Sequence, residues 1–179
     1  MRVGFASHRG GWPAWLLLLV LGWPLVAWAA PPPKGMVPVQ DRVAPPLKLH
    51  DVDGRPFDLA AQRGRWVFVH FWASWCGPCR REIPAIQAML EDSPNPQLVF
   101  AMVNTAEDDD TVFEFLGVLA PDIVPLMDRD GQVTEAWQPR GLPSTYLVGP
   151  DGAIRYRALG GRPWNDPEYR AFLAGLGRR

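Results

Sequence analysis

The stretch Trp66-Val-Phe-Val-His-Phe-Trp-Ala-Ser-Trp-Cys-Gly-Pro-Cys79 decides how the rest of the chain is read. Trp66 to Trp72 is a continuous apolar run broken only by His70, rich in β-branched and aromatic residues. Such a run marks a central strand buried on both faces. It leads to two cysteines three apart. On a helix, that spacing brings the Cβ atoms to about 5–6 Å, and small adjustments then allow a disulfide. Cys76 falls at the helix N-terminus, where free amides and partial positive charge lower a thiol's pKa. The thiolate is the attacking species in disulfide exchange. Cys79, one turn further in, is expected to be more buried and to act as the resolving thiol. Gly77 lets a substrate backbone approach. Pro78 falls in the first turn, where its missing N–H costs least.

Two cysteines three apart also occur in metal sites. Cys76 and Cys79 are the only cysteines in 179 residues, so a four-ligand site needs two more ligands. Beyond His8, only His50 and His70 could supply them. A purely structural bridge is disfavoured, because closing four residues removes little loop-closure entropy.

On the N-terminal side, Pro46-Leu-Lys-Leu-His50 alternates, Asp51 to Gly54 signals a turn, and Pro56 to Leu59 returns as its hairpin partner. On the C-terminal side a helix is expected over Gly77 to Glu91, with Ile83, Ile86 and Leu90 on one face. Pro84 should bend it or remove a hydrogen bond. Leu98 to Val103 reads as a second buried strand. Asp109 to Leu119 reads as a helix with Val112, Phe115, Leu116 and Leu119 at i, i+3, i+4 and i+7. A short strand over Ile123 to Met127 and a short helix over Gln132 to Trp137 follow. Ser144 to Val148 and Ala153 to Ala158 flank the turn Gly149-Pro-Asp-Gly152. Asp166-Pro167-Glu168 opens a last helix running to about Leu176. This order predicts an α/β fold with a mixed sheet covered on both faces. The acids Glu107 to Asp110 are attributed to the helix dipole, and Arg80 and Arg81 to a solvated face. Arg162 and Trp164 belong to no motif.

Hydrophobic residues make up 47% and charged residues 21%, which argues against a disordered chain or a multi-pass membrane protein. The net charge of −1 gives no basic field for nucleic acid. Gly10 to Pro33 carries no charge, Arg2 and Arg9 precede it, and Ala27-Trp28-Ala29 offers a small-residue cleavage site. These features describe a secretory signal peptide. The rival reading is an uncleaved anchor, since Trp12 to Ala30 approaches the ~20 residues that cross a bilayer. Either way the positive end stays inside, and the domain reaches a compartment that tolerates disulfides. The chain is thus divided into residues 1–29, signal peptide or anchor; 30–43, a Pro-rich linker; and 44–179, one domain.

Phe71-Trp-Ala-Ser-Trp-Cys-Gly-Pro-Cys79 resembles the active-site strand and loop of thioredoxin. The surrounding chain resembles the exported TlpA/ResA-like branch of that superfamily. Ala44-Pro-Pro-Leu47 is similar to that branch's opening strand, Cys79-Arg-Arg-Glu-Ile-Pro84 to its helix start, and Gly141-Leu-Pro-Ser-Thr-Tyr-Leu-Val148 with Asp151-Gly152 to its late strand. The likeness covers roughly Ala44 to Leu176. It implies a thioredoxin-like fold, a mixed central sheet flanked by helices with an N-terminal β-hairpin extension.

The resemblance also implies a function. Cys76 is the nucleophile and Cys79 the resolving cysteine of an exported thiol–disulfide oxidoreductase, leaning towards a reductant. No cofactor beyond the redox-active Cys76–Cys79 disulfide is required. Partners are exported clients with thiols or disulfides, such as apocytochrome c or a copper-site protein, and a membrane electron donor. Pro143 falls at the family's cis-proline, exposing the Leu142 backbone to a client and keeping metal from the thiols. Trp75 contributes to a client-contacting surface. Glu82 takes the family's acidic position, where a partly buried carboxylate could move protons; an exposed glutamate paired with arginines is the alternative. His70 replaces the buried acid of thioredoxin and is either a proton carrier or a core histidine with one hydrogen bond. Two other functions stay open: a copper-handling protein using Cys76, Cys79 and His70, and a thiol peroxidase. Against the latter, Ala73 stands three residues before Cys76, where a peroxidase has Thr or Ser.

Overall fold

A computed structural model describes residues 31–93 and 95–177, together with Met1 and Gly4. Apart from those two residues, the expected signal peptide or anchor lies outside the described residues. Strand β4 (Val67–Trp72) is buried at all six positions. It runs parallel to β5 (Val99–Thr105), with Trp72 opposite Asn104. On its other side it runs antiparallel to β7 (Ser144–Val148), with Phe71 opposite Ser144. Neighbours on both edges and layers on both faces explain why the strand reads as unbroken apolar sequence. β6 (Pro125–Asp128) extends the sheet beyond β5. β8 (Ala153–Leu159) and β1 (Met36–Val43) extend it beyond β7, for a spatial order β1-β8-β7-β4-β5-β6.

Strand β1 corrects the reading of residues 30–43 as a linker. Met36 to Val43 pairs antiparallel with β8, Met36 opposite Ala158 and Val43 opposite Ala153. Pro38 is tolerated because β1 is an edge strand. The register is irregular between Pro38 and Arg42. Tertiary contacts fasten the segment: the Tyr169 hydroxyl donates to the Lys34 carbonyl at 2.6 Å, and Arg42 donates to the Trp137 carbonyl at 3.0 Å. Ala44 to Leu47, matched to an opening strand, is instead the connection from β1 to β2. The expected hairpin is present as β2 (Lys48–His50) and β3 (Pro56–Asp58), a separate two-stranded sheet.

Alternation along β4 divides the core. Phe68 and Trp72 join the apolar cluster with Ile83 and Ile86 of helix α1 (Gly77–Glu91), Phe115 and Leu116 of α2 (Asp109–Leu119), and Phe172 and Leu173 of α4 (Pro167–Gly175). Val67, Val69 and Phe71 join the second cluster, with Leu47, Leu59 and Trp137 of α3 (Gln132–Trp137). His70 shares the parity of Phe68 and Trp72, so it points to the α1 side. The helix continues through Pro84 to Glu91, although proline leaves the Arg80 carbonyl without its intrahelical donor.

Candidate functional site

Helix α1 starts where β4 runs out. Cys76 is its N-cap residue, and its sulfur accepts from the Cys79 N–H at 3.2 Å. The two cysteines are joined as a disulfide, Cα atoms 5.2 Å apart. Cys76 keeps 5% exposure and Cys79 none, the asymmetry expected of an attacking and a resolving sulfur. Gly77 is half-buried and Pro78 exposed. Trp75 beside them is 69% exposed. The Leu142–Pro143 peptide bond is cis. Because Ser144 pairs with Phe71, this bond lies at the end of the sheet from which α1 departs. Leu142 is half-buried there and Pro143 buried.

A carboxylate overlooked in the sequence holds the loop between β4 and α1. Glu107 accepts from the Ser74 N–H at 2.8 Å, from the Ser74 hydroxyl, and from the Asn104 amide at 2.7 Å. Arg80 completes the clamp, donating to the Ser74 carbonyl at 3.3 Å with its guanidinium 5.1 Å from the Phe115 ring centre. Glu107 follows Ala106, a non-glycine residue at φ +56°. That conformation is rare for a residue with a Cβ, and it turns the chain just before Glu107. The rest of the acidic run behaves as the dipole argument predicts: Asp108 caps α2 through the Thr111 N–H, and Asp109 and Asp110 sit in its first turn. Asp109 also pairs with Arg129 at 2.7 Å.

Glu82 is buried at 3% exposure, which rules out the exposed alternative. One oxygen, Oε1, accepts from the Arg162 N–H at 3.1 Å and from the Trp164 indole N–H. Burial pushes the carboxyl up to about 7, against the opposing pull of the Trp164 and Arg162 contacts. His70 is fully buried. Its Nδ1 lies 2.9 Å from the Thr145 hydroxyl, and burial drives its pKa down to about 3. Its Nε2 faces Glu82 Oε2 at 4.0 Å. At neutral pH the imidazole is therefore uncharged, and no simple ion pair forms. The fold brings Cys76, Cys79, Glu82 and His70 to one side of the sheet. Nothing in the sequence marked Trp164 and Arg162, which reach Glu82 from 80 or more residues away.

The fold and the cysteine pair have counterparts among known proteins. The family described as AhpC/TSA matches residues 41–157. The chain belongs to the AhpC/TSA family. Relatives of this AhpC/TSA chain include the thiol-disulfide oxidoreductase ResA of Bacillus subtilis (strain 168), 30% identical over 111 residues, 62% of each chain. The thiol:disulfide interchange protein CycY of Rhizobium leguminosarum bv. viciae is 34% identical over 102 residues, 56% of this chain and 53% of its own. The chain thus spans between about half and two thirds of the length of these curated relatives. Among solved structures, a proposed thiol:disulfide interchange protein DsbE of Chlorobium tepidum superposes with a TM-score of 0.66 at 27% identity, covering 76% of this chain and 96% of that one. These relatives bear out the thioredoxin-like fold.

Proposed function

We propose that the protein is an exported thiol–disulfide oxidoreductase that works through Cys76 and Cys79, most usefully as a reductant. The observation that carries this reading is the Cys76–Cys79 pair itself, closed across the first turn of α1 with Trp75 projecting beside it. The names of the relatives support it. In the reduced protein, the Cys76 thiolate attacks a client disulfide. The client S–S bond breaks, a mixed disulfide forms, and one client sulfur leaves as a thiolate. Cys79 then loses its proton and attacks the Cys76 sulfur. The Cys76–Cys79 bond closes and the second client sulfur is released. Two electrons pass from the protein's dithiol to the client.

The remaining residues have stated tasks in this scheme. Glu82, one turn beyond Cys79 on the buried side of α1, takes the Cys79 proton. Trp75, Gly77 and Pro78 present the rim to the client, and the Leu142–Pro143 segment offers a backbone edge to a client strand. The charged start and apolar run of residues 1–29 support export to the periplasm, as a cleaved or anchored protein. No described helix is long and apolar enough to cross a membrane. A reductant in an oxidising compartment needs a membrane electron donor, and its clients are exported proteins such as apocytochrome c or copper-site proteins.

The test is the reduction potential of the pair, by equilibration with glutathione or dithiothreitol. A value near roughly −270 mV matches a reductant, and one near roughly −120 mV overturns that direction. A protein that neither reduces nor oxidises a disulfide-linked peptide overturns the function. For the copper-handling alternative, no group of three or more His, Cys, Asp or Glu residues is poised for metal among the described residues. For the peroxidase alternative, Ala73 is fully buried and supplies no hydroxyl. Stoichiometric copper binding by the reduced form would favour the first, and peroxide consumption the second.

A further inference from the structure

Two buried polar atoms without hydrogen-bond partners face each other behind the cysteine pair: His70 Nε2 and Glu82 Oε2, 4.0 Å apart. Buried polar groups are almost always paired, so two facing orphans call for an explanation. Their other atoms are held. Glu82 Oε1 receives two N–H donors, from Trp164 and Arg162. His70 Nδ1 rests on Thr145, and its ring lies 6.0 Å from that of Phe68. In the tautomer that carries its proton on Nδ1 and donates it to the Thr145 hydroxyl, Nε2 is a bare lone pair aimed at a carboxyl. Oε1 then acts as a pivot, and a swing of Oε2 by about 1 Å reaches hydrogen-bond length.

We propose that His70 is a positioning residue for the Cys79 proton: Glu82 and His70 form one buried carboxyl–imidazole couple that holds a single proton, with Nε2 accepting it from Glu82 Oε2–H. This deepens, and rests on, the reading of Cys79 as the resolving thiol. When Cys79 gives up its proton to the Glu82 carboxylate, the new carboxyl O–H finds its acceptor at once. When the proton leaves, the couple returns to carboxylate and neutral imidazole. No net charge beyond that of one carboxylate is ever buried, which is the arrangement a low-dielectric site requires. The two pKa values support the same assignment, since a carboxyl near 7 facing an imidazole near 3 leaves the proton on the carboxyl side.

The proton has a way in. A cleft of about 400 Å³ runs between α1 and the segment after β8, lined by Pro78, Arg81, Ala85, Gly161 and Asn165, with Glu82 in its wall. A Cβ on Gly161 would sit 3.7 Å from Oε2, so only a thin backbone cover separates the carboxyl from the cleft. The ionisable groups near the couple are Arg81 in the same cleft wall, Arg162 after β8, Tyr169 of α4, whose phenol feels the Glu82 charge, and, in the reduced protein, Cys79 one turn earlier on α1. Arg162 favours the carboxylate, so it opposes the upward push of burial and keeps the proton mobile near neutrality.

The experiment is a pH titration of the full chain, oxidised and reduced, with ¹⁵N-labelled histidine, reading the His70 ring nitrogens beside the infrared carboxyl stretch. His8→Gln and His50→Gln variants assign the spectrum, since the full chain carries three histidines. The expected result is one common midpoint near 7 for the His70 Nε2 shift and the Glu82 carboxyl band, with the Nε2 inflection lost in Glu82→Gln. In His70→Phe the carboxyl loses its acceptor, and its midpoint falls by about one pH unit, a tenfold loss of proton affinity. A flat Nε2 shift while the carboxyl titrates, or two unrelated midpoints, overturns the proposal. That result comes from the unmutated protein, so it stands even if His70→Phe does not fold. No client is involved: absent disulfide exchange would sink the proposed function and leave the couple intact, and a flat His70 would do the reverse.

Discussion

Replacing Glu82 by Gln should make the protein more stable, by a margin that opens above pH 4.5 and is complete above about 7. The carboxyl is buried and its pKa rises from the ordinary 4.5 to about 7. Between those values the unfolded chain ionises Glu82 while the folded protein keeps the proton. The unfolded state therefore binds fewer protons, and stability falls as pH rises. At about 1.4 kcal/mol per pH unit, ionising this buried carboxyl destabilises the fold by about 3 kcal/mol above pH 7. Glutamine copies the neutral carboxyl in shape, and its carbonyl can still accept from Trp164 and the Arg162 N–H. It removes only the charge. The assay is urea denaturation of the oxidised protein at pH 5, 6, 7 and 8, wild type against variant. The two should differ by under about 1 kcal/mol at pH 5, by about 2 kcal/mol at pH 6 and by about 3 kcal/mol at pH 8. His70 stays uncharged over this range in both folded proteins and ionises alike in both unfolded chains, so its own titration drops out of the difference. Parallel curves, or a variant less stable at pH 8, would show that Glu82 is not held neutral by burial and would refute the argument.

Other consequences are open to simpler tests. Glu107→Ala leaves three donors without an acceptor, so stability should fall by about 2 kcal/mol and peptide-disulfide exchange should slow, with Glu107→Gln intermediate; thermal melts and exchange rates equal to wild type would contradict the clamp. Trp164→Phe removes a donor that favours the ionised carboxyl, so the Glu82 midpoint should move further up, read by the infrared band; a downward shift would refute it. Trp75→Ala should leave stability within about 0.5 kcal/mol, as exposed substitutions do, while raising the KM for a disulfide peptide. A fall in Tm with unchanged KM would place Trp75 in the core instead. Because His70 is pushed down to about 3, the folded protein resists protonating it while the unfolded chain does so below about 6.5. Stability from this residue should be complete above 6.5 and decline as pH falls towards 3, a limb that His70→Phe abolishes in acid unfolding.

Local patterning made most elements legible. The α2 boundaries follow from an acid N-cap and an i, i+3, i+4, i+7 stripe, and β4 from a run no amphipathic element would carry. The misread segment was β1, because prolines beside a short alternating run look like a linker. Its strand character comes from β8, 110 or more residues later, and an edge strand needs only one partner. In the site, Cys76 and Cys79 were legible through spacing and context. His70 was legible as a buried residue from its place in β4, but the burial of Glu82 was left open between two readings, since it depends on the far segment carrying Arg162 and Trp164. Glu107 was concealed by its neighbours: Asp108, Asp109 and Asp110 gave the acidic run a sufficient explanation, and nothing local marked the first acid as facing Ser74.

The alternation of β4 ties reactivity to register. Phe68, His70 and Trp72 face α1, while Val67, Val69 and Phe71 face the Trp137 cluster. Sliding the strand by one residue would exchange the two sets at once. His70 would leave Glu82 for an aromatic wall, and Phe71 would take its place against the acid. A slipped conformer thus would not survive as a well-packed but inactive protein, because the same odd-or-even choice sets both cores and the partner of the buried carboxyl. Misfolding and loss of proton handling are one event here, and selection against either polices the other.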